Sequence, residues 1–143
     1  MGAPAVCLIV AGVVRAALPA HEIALEWQHS VQMTRWREHY RVEAHALLLD
    51  EARVQGSGAG MEAGEDAVLR HGWWVWHPQR RMAEFTLSAS SLTPDHSLCI
   101  DGRCRPLHAW LGAGSQTSDA PITLRPCGSA APTRPTPRSN DPR

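Results

Sequence analysis

Two neighbouring stretches of the chain alternate strictly between apolar and polar residues, and this pattern constrains the fold most tightly. The first runs from Ile23 to Val31 and the second from Arg35 to His45. Alternation with a period of two is typical of β-strands that bury one face. Because only a short link separates the two stretches, we predict a β-hairpin over residues 23–44 that opens a mostly β domain.

The apolar positions of these strands also predict how they pair. If the turn is centred between Met33 and Thr34, every apolar residue on the inner face meets an apolar partner, with one exception. The exception places His29 opposite Glu38, where the imidazole compensates the cost of burying a carboxylate. Three interpretations are open: a structural pair that fixes the register, a ligand-binding pair, or a proton-transfer dyad. The apolar pairs in this register are Val31–Trp36, Trp27–Tyr40 and Leu25–Val42.

Further short strands follow, separated by turn signals. We predict a third strand at residues 46–55, with a helix as the alternative, and a strand with aromatic residues on both faces at residues 72–77. The remaining strands are predicted at 83–89, 97–100, 103–107 and 121–124. About eight short strands predict an all-β fold, either a small antiparallel β-sandwich or a partly open barrel.

An unbroken apolar run over residues 3–14 lies near the start of the chain. It is too short to span a bilayer, which takes about 20 residues, but its length and the small residues up to Ala20 resemble a signal peptide or a marginal membrane anchor. The alternative is a first buried β-strand at residues 5–14. The predicted organisation is a signal-like or membrane-anchoring segment at 1–20, a β domain at 21–127, and a disordered tail rich in proline and arginine at 128–143.

Cys99 and Cys104 flank an Asp-Gly dipeptide, which is a strong signal for a two-residue hairpin turn. Such a turn places the two cysteines opposite each other, with Cα atoms about 4.5 Å apart. This geometry predicts a cross-strand disulfide and an oxidising compartment, with reduced thiols as the alternative. Cys127 is then unpaired, takes the place of one of these two, or bonds Cys7 if the N-terminal segment stays on the chain.

The segment Ser57-Gly58-Ala59-Gly60 is a second candidate site. Glycines allow consecutive backbone N–H groups to point at an anion, so this loop is a candidate for binding a carboxylate. The alternative is a loop that needs unusual backbone angles for structural reasons alone. The spacing matches neither the serine-hydrolase elbow nor the dinucleotide-binding fingerprint.

Composition excludes several classes of function. The 14 basic and 14 acidic residues balance, so the chain has no nucleic-acid signature. It contains no lysine, which excludes a Schiff-base lysine and a phosphate-binding P-loop. No pair of histidines has metalloprotease spacing, and we expect neither a metal nor a cofactor. The side chains of Trp74 and Trp76 share a strand face, which indicates core filling or a patch for a membrane or partner.

Three motifs occur in the chain in a specific order and spacing. They are Trp27-x-His29-Ser30-Val31, Trp36-x-Glu38-x-Tyr40-x-Val42 and Ser57-Gly58-Ala59-Gly60-Met61. In these motifs the chain resembles a bacterial family, domain of unknown function 1850, and the resemblance covers roughly residues 22–112. Family members are short, usually begin with a hydrophobic segment, and are often encoded beside tripartite ATP-independent periplasmic (TRAP) transporters that use the immunogenic-protein (TAXI) type of solute receptor.

The resemblance implies an accessory domain near such a transporter, with no established activity. The leading hypothesis is a non-enzymatic domain, periplasmic or attached to the inner membrane, that binds the membrane subunit, the solute receptor or a small carboxylate. The alternatives are a small acid–base enzyme that uses a His29/Glu38 dyad and a structural envelope domain. The candidate ligand-binding residues are His29, Ser30, Glu38, Ser57, Gly58 and Gly60.

Overall fold

A computed structural model describes residues 3–29, 34–55, 66–87, 96–111 and 120–128, and for His29 it describes the backbone alone. These residues form two antiparallel β-sheets, and neither sheet closes into a barrel. The all-β prediction is therefore confirmed, and of its two forms the structure has the sandwich. The described part of the chain also has one short 3-10 helix, Leu107–Leu111.

Twelve strands are found in the described residues, more than the eight that the sequence predicts. The segment near the start of the chain forms two of the additional strands, and two strands of three residues each join the large sheet. In chain order they are β1 (Ala5–Val10), β2 (Val13–Pro19), β3 (Glu22–His29), β4 (Thr34–Val42), β5 (Leu47–Gln55), β6 (Val68–Arg70), β7 (Trp73–Trp76), β8 (Arg80–Met82), β9 (Phe85–Leu87), β10 (Ser97–Ile100), β11 (Arg103–Pro106) and β12 (Ile122–Pro126).

The small sheet has the strand order β2-β1-β12-β9, and the large sheet has the order β11-β10-β3-β4-β5-β7-β6. Strand β8 pairs with the first half of β5, where Leu47 faces Met82. The core lies between the two sheets, where apolar residues of β3 and β10 pack against residues of β1 and β12. Its fully buried members include Leu8, Ile23, Leu25, Leu98 and Leu124.

Three two-residue turns connect neighbouring strands, and both residues of each have positive φ. They are Ala11-Gly12, His71-Gly72 and Asp101-Gly102. This backbone matches the right-handed twist of a hairpin. The Asp101-Gly102 turn confirms the sequence prediction, and the Asp101 carboxylate also accepts hydrogen bonds from the backbone N–H groups of His21 and Glu22, at 3.0 and 3.1 Å.

The apolar segment near the start of the chain is folded into the small sheet as β1 and β2. The strand alternative is correct for residues 5–10, but the chain then turns at Ala11-Gly12 and returns as β2 instead of continuing as one buried strand to residue 14. In this structure the sandwich therefore includes residues that the predicted boundary at residue 21 leaves out. Val6 and Leu8 are fully buried there, and Cys7 is bonded to Cys127. No helix within the described ranges is long and apolar enough to cross a bilayer. Export or membrane attachment stays a prediction.

The predicted hairpin exists, but its predicted register is wrong. Trp27 faces Trp36, Leu25 faces Glu38, and His29 faces Thr34. Each residue of β4 therefore meets a partner four positions away from the predicted one. An even shift of this kind keeps every side chain on the same face, so alternation alone does not distinguish the two registers. The observed register is favoured by the stacking of the two indoles and by the ion pair between Glu26 and Arg37.

Two disulfides connect elements of the fold. Cys99 and Cys104 face each other in the hairpin of β10 and β11, with Cα atoms 3.9 Å apart, which confirms the predicted pair. Cys7 and Cys127 join β1 to the residue after β12, with Cα atoms 5.7 Å apart. The second disulfide therefore ties the first strand of the domain to the last.

We expect the Cys7–Cys127 disulfide to stabilise the fold more than the Cys99–Cys104 disulfide does. It joins residues 120 positions apart, against 5 positions for the hairpin pair. The loss of chain entropy in the unfolded state corresponds to about 5 kcal/mol for the long loop and about 2 kcal/mol for the short one. In urea unfolding, C7A/C127A should therefore lose more free energy of unfolding than C99A/C104A. Equal losses, or a larger loss in the hairpin variant, would contradict this account.

Candidate functional site

Glu38 places a carboxylate on the inner face of the large sheet, among apolar neighbours. It lies in the middle of β4, between Leu25 of β3 and Ala52 of β5, and both neighbours are buried. A charged group in such a position is costly to desolvate unless a partner compensates it. No arginine or histidine of the described residues forms an ion pair with Glu38. A polar group on the apolar face of a sheet is more informative about function than an exposed one.

Tyr40 is the hydrogen-bond partner of Glu38 among the residues that the structure describes. Its hydroxyl donates to Oε1 of Glu38 over 2.7 Å. Burial raises the pKa of Tyr40, and the neighbouring Glu38 carboxylate raises that pKa further, so the hydroxyl keeps its proton near neutral pH. The tyrosine ring stacks on Phe85 of the small sheet, with centroids 4.8 Å apart. One carboxylate oxygen is thus fixed from the core, and Oε2 has no partner in the described part of the chain.

Four half-buried tryptophans share the face of Glu38, and we call them the aromatic end: Trp27, Trp36, Trp74 and Trp76. They share this face because residues paired across antiparallel strands point the same way. The indole of Trp36 stacks on that of Trp27 at a centroid distance of 6.1 Å and meets that of Trp76 edge to face at 6.4 Å. Both arrangements are favourable for aromatic pairs.

The aromatic end continues the inner face beyond the buried core. Leu25 and Tyr40 belong to the core, and Trp27 packs against it. The other three tryptophans of the aromatic end are outside the core that the described residues form. The predicted shared face of Trp74 and Trp76 is confirmed. A membrane or partner patch at these two residues stays a prediction.

Three buried polar atoms at this end have no hydrogen-bond partner within the described residues. They are Oγ1 of Thr34, Nε1 of Trp36 and Nε1 of Trp74. Buried polar groups in folded proteins nearly always have a partner, so each such group requires an explanation. Two of the three atoms are N–H donors, and a donor without a partner indicates a place for an acceptor.

The strand ends next to both predicted loop elements lie beside the aromatic end. Strand β3 ends at His29, β4 begins at Thr34, and β5 ends at Gln55, one residue after the partner of Trp36. The residues between these strand ends, and therefore the predicted site residues Ser30, Ser57, Gly58 and Gly60, lie outside the described residues. The structure thus places the ends of β3, β4 and β5 that are next to these loop elements at the same end of the large sheet.

The predicted dyad of His29 and Glu38 is not a cross-strand pair. His29 faces Thr34, so the backbone of His29 lies four positions along the strands from the level of Glu38. Four positions correspond to about 13 Å, whereas an ion pair needs a separation below about 6 Å. The prediction is wrong because it rested on the incorrect register of the hairpin. His29 instead ends β3 where the first of the two loop elements begins.

Sequence reasoning missed the contact between Tyr40 and Glu38. A signal for it was present, because residues two apart on a strand share a face and Glu38 is the acidic member of an otherwise aromatic and apolar set. The stacking of Trp27 on Trp36 had no such signal, since it depends on the register. No group of three or more metal-ligating side chains is found in the described ranges.

The comparison with known families matches the part of the chain that carries this site. Residues 23–107 match the family described as Domain of unknown function (DUF1850). The chain belongs to the DUF1850 family. The matched residues begin in β3 and reach the 3-10 helix, so they include Glu38, Tyr40 and the four tryptophans of the aromatic end. No curated protein and no solved structure matches the chain.

The outer face of the large sheet in this DUF1850 domain is charged rather than aromatic. His39 lies between two carboxylates, with Nδ1 2.6 Å from Oδ1 of Asp50 and with Nε2 in a short contact with Glu22. Burial lowers the pKa of His39, but the hydrogen bonds and charges of Asp50 and Glu22 outweigh burial, so the pKa is raised above 6.5. Asp50 reaches the histidine because the pairing of β4 with β5 is interrupted by a bulge there.

We expect His39 to make the stability of the DUF1850 domain depend on pH. A histidine whose folded pKa is raised stabilises the fold fully below its unfolded pKa of about 6.5 and loses this contribution as pH rises through the folded pKa. The difference in melting temperature between the wild-type protein and His39→Gln should therefore be largest near pH 6 and shrink toward pH 9. Arg41→Gln serves as the control. It removes a guanidinium group 3.3 Å from Asp50, and this group keeps its charge between pH 6 and pH 9. A difference for His39→Gln that grows with pH would contradict the assignment.

Proposed function

We propose that this DUF1850 chain is a non-enzymatic accessory domain of a TRAP transporter of the TAXI type, exported or membrane-attached and facing the periplasm. In this role it binds a small carboxylate-bearing ligand or a transporter subunit at the aromatic end. The observation that carries the proposal is the aromatic end itself: four half-buried indoles share the inner face with Glu38, and the buried N–H groups of Trp36 and Trp74 have no acceptor among the described residues. The ends of β3, β4 and β5 that are next to the loop elements of the family resemblance lie at the same end of the sheet.

A binding role is favoured over catalysis by the groups that surround Glu38. Indole rings bind a ligand through their faces and N–H groups, and the Tyr40 hydroxyl, which keeps its proton, holds Glu38 in place. General acid–base catalysis instead needs a group that exchanges protons near neutral pH. The register separates His29 from Glu38 by about 13 Å of strand, so the histidine does not supply that group as a paired base.

Placement outside the cytoplasm is supported by the cysteines. All four cysteines of the chain lie within disulfide distance in two pairs, Cys7–Cys127 and Cys99–Cys104. Disulfides of this structural kind persist in oxidising compartments such as the bacterial periplasm and are rare in the cytosol. The Cys7–Cys127 disulfide also joins the two ends of the described domain. A reducing compartment would not maintain this disulfide.

Deletion of the gene tests the accessory role directly. We expect the deletion to lower uptake of an organic acid by the cognate transporter, because the accessory domain would be absent from the transporter. A plasmid copy of the wild-type gene should restore uptake, and Glu38→Gln should restore less of it. Glu26→Gln is the matched control, since Glu26 lies on the outer face in an ion pair with Arg37, and it should restore uptake fully.

Two outcomes would overturn the proposal. The first is unchanged uptake of every transporter substrate in the deletion strain, which would favour a structural envelope role. The second is equal restoration by Glu38→Gln and Glu26→Gln, which would remove the aromatic end from the function. Immunoblots of the envelope fraction establish that all variants accumulate to the same level, so that a loss of uptake reports on the site rather than on folding.

A further inference from the structure

We infer that the ligand of the aromatic end carries an organic ammonium group, which binds against Glu38. This inference rests on the proposed function and names the chemical class of the ligand. It begins from the charge of the site: Glu38 is an acceptor, so it repels the carboxylate of a ligand and attracts a cationic donor. The charge of Arg80 in β8 lowers the pKa of the neighbouring Tyr40, but no cation of the described residues forms an ion pair with Glu38, which leaves a place for a cationic group of the ligand.

The four tryptophans favour the same chemistry. An ammonium group over the face of an indole is attracted by the negative potential of the ring, and tryptophan gives the strongest such attraction among the aromatic residues. Trp36 precedes Glu38 by two residues on the same face of β4, and Trp76 pairs with Ala52, which in turn pairs with Glu38. A carboxylate and indole rings on the same face of a sheet together recognise an organic cation, the carboxylate by its charge and the rings by their faces.

The N–H donors without a partner at the aromatic end require a hydrogen-bond acceptor. The indole N–H groups of Trp36 and Trp74 are buried and have no acceptor among the described residues. An oxygen of the ligand would complete them. A ligand that joins an ammonium group to a carboxylate satisfies both needs, so the small carboxylate of the proposed function is an amino acid or a related zwitterion rather than a simple organic acid.

Two isosteric pairs of compounds test the inference on the full-length protein. 4-Aminobutyrate and pentanoate differ by an ammonium group in place of a methyl group, and glycine betaine and 3,3-dimethylbutanoate differ by a quaternary nitrogen in place of a carbon. Tryptophan fluorescence and calorimetry measure the four affinities. We expect one or both of the zwitterions to bind at least about tenfold more tightly than the matched carboxylate, since hydrogen bonds to charged groups and cation–π contacts each contribute on this scale.

Variants assign the selectivity to Glu38. In Glu38→Gln, affinity for the preferred zwitterion should fall about tenfold or more, while affinity for the matched carboxylate stays the same or rises, because the amide keeps the shape and loses the charge. Glu26→Gln, on the outer face, should bind as the wild-type protein does. Near-UV circular dichroism and the melting temperature establish that both variants are folded.

The outcomes separate this inference from the proposed function. Equal binding within each isosteric pair, preference for the carboxylates, or no binding of any of the four compounds overturns the inference, even if the deletion strain has lost uptake. Selective binding of a zwitterion that Glu38→Gln leaves unchanged also overturns it. Selective, Glu38-dependent binding supports it, and if the deletion strain then retains full uptake, the accessory role fails while the ligand class stands.

Discussion

The pairing of β3 with β4 is the interaction on which the rest of the large sheet depends. Strand β4 is central, and β3 and β5 pair on either side of it with the largest number of paired residues in the fold. Once Trp27 faces Trp36, Glu38 must face Leu25, and the pairing of β4 with β5 places Ala52 on its other side. The neighbour of the carboxylate on β3 and the stacking of the indoles follow from that register, whereas the contact of Glu38 with Tyr40 joins residues two apart on one strand.

The same pairing separates two kinds of chemistry on the two faces of the sheet. On the outer face, carboxylates meet cations, as in the contacts of His39 with Glu22 and Asp50. These charges compensate one another and stay near solvent, so they contribute modestly to stability. On the inner face, Glu38 receives one hydrogen bond from Tyr40 and forms no ion pair within the described part of the chain. This difference marks the inner face as the place where an external group is needed.

Much of the architecture is predictable from local patterns. Alternation identifies β3 and β4, and the Asp-Gly turn predicts that Cys99 faces Cys104, because both signals act over a few residues. The register is not predictable in this way, since an even shift leaves every residue on its own face. The first strand is only an alternative at the level of sequence for a related reason: an apolar run that is buried between β2 and β12 has the composition of a leader segment.

The candidate site shows the same division. Glu38 is recognisable in the sequence as a charge within an apolar pattern, and the structure places it on the inner face. Its neighbours are not recognisable, because Trp74 and Trp76 reach the site through the pairing of β5 with β7, more than 30 residues along the chain. Long-range pairing of this kind depends on the whole sheet, and no local pattern encodes it.

The register of the hairpin is tested most directly by cross-strand proton contacts in nuclear magnetic resonance spectra of the folded protein. Backbone protons of directly opposed residues on antiparallel strands lie close enough to give strong nuclear Overhauser effects. The account predicts such contacts between Leu25 and Glu38 and between Trp27 and Trp36. Contacts of Glu38 with His29, and of Trp27 with Tyr40, would contradict it, because they would restore the facing pair of His29 and Glu38 and remove the carboxylate from its present neighbours.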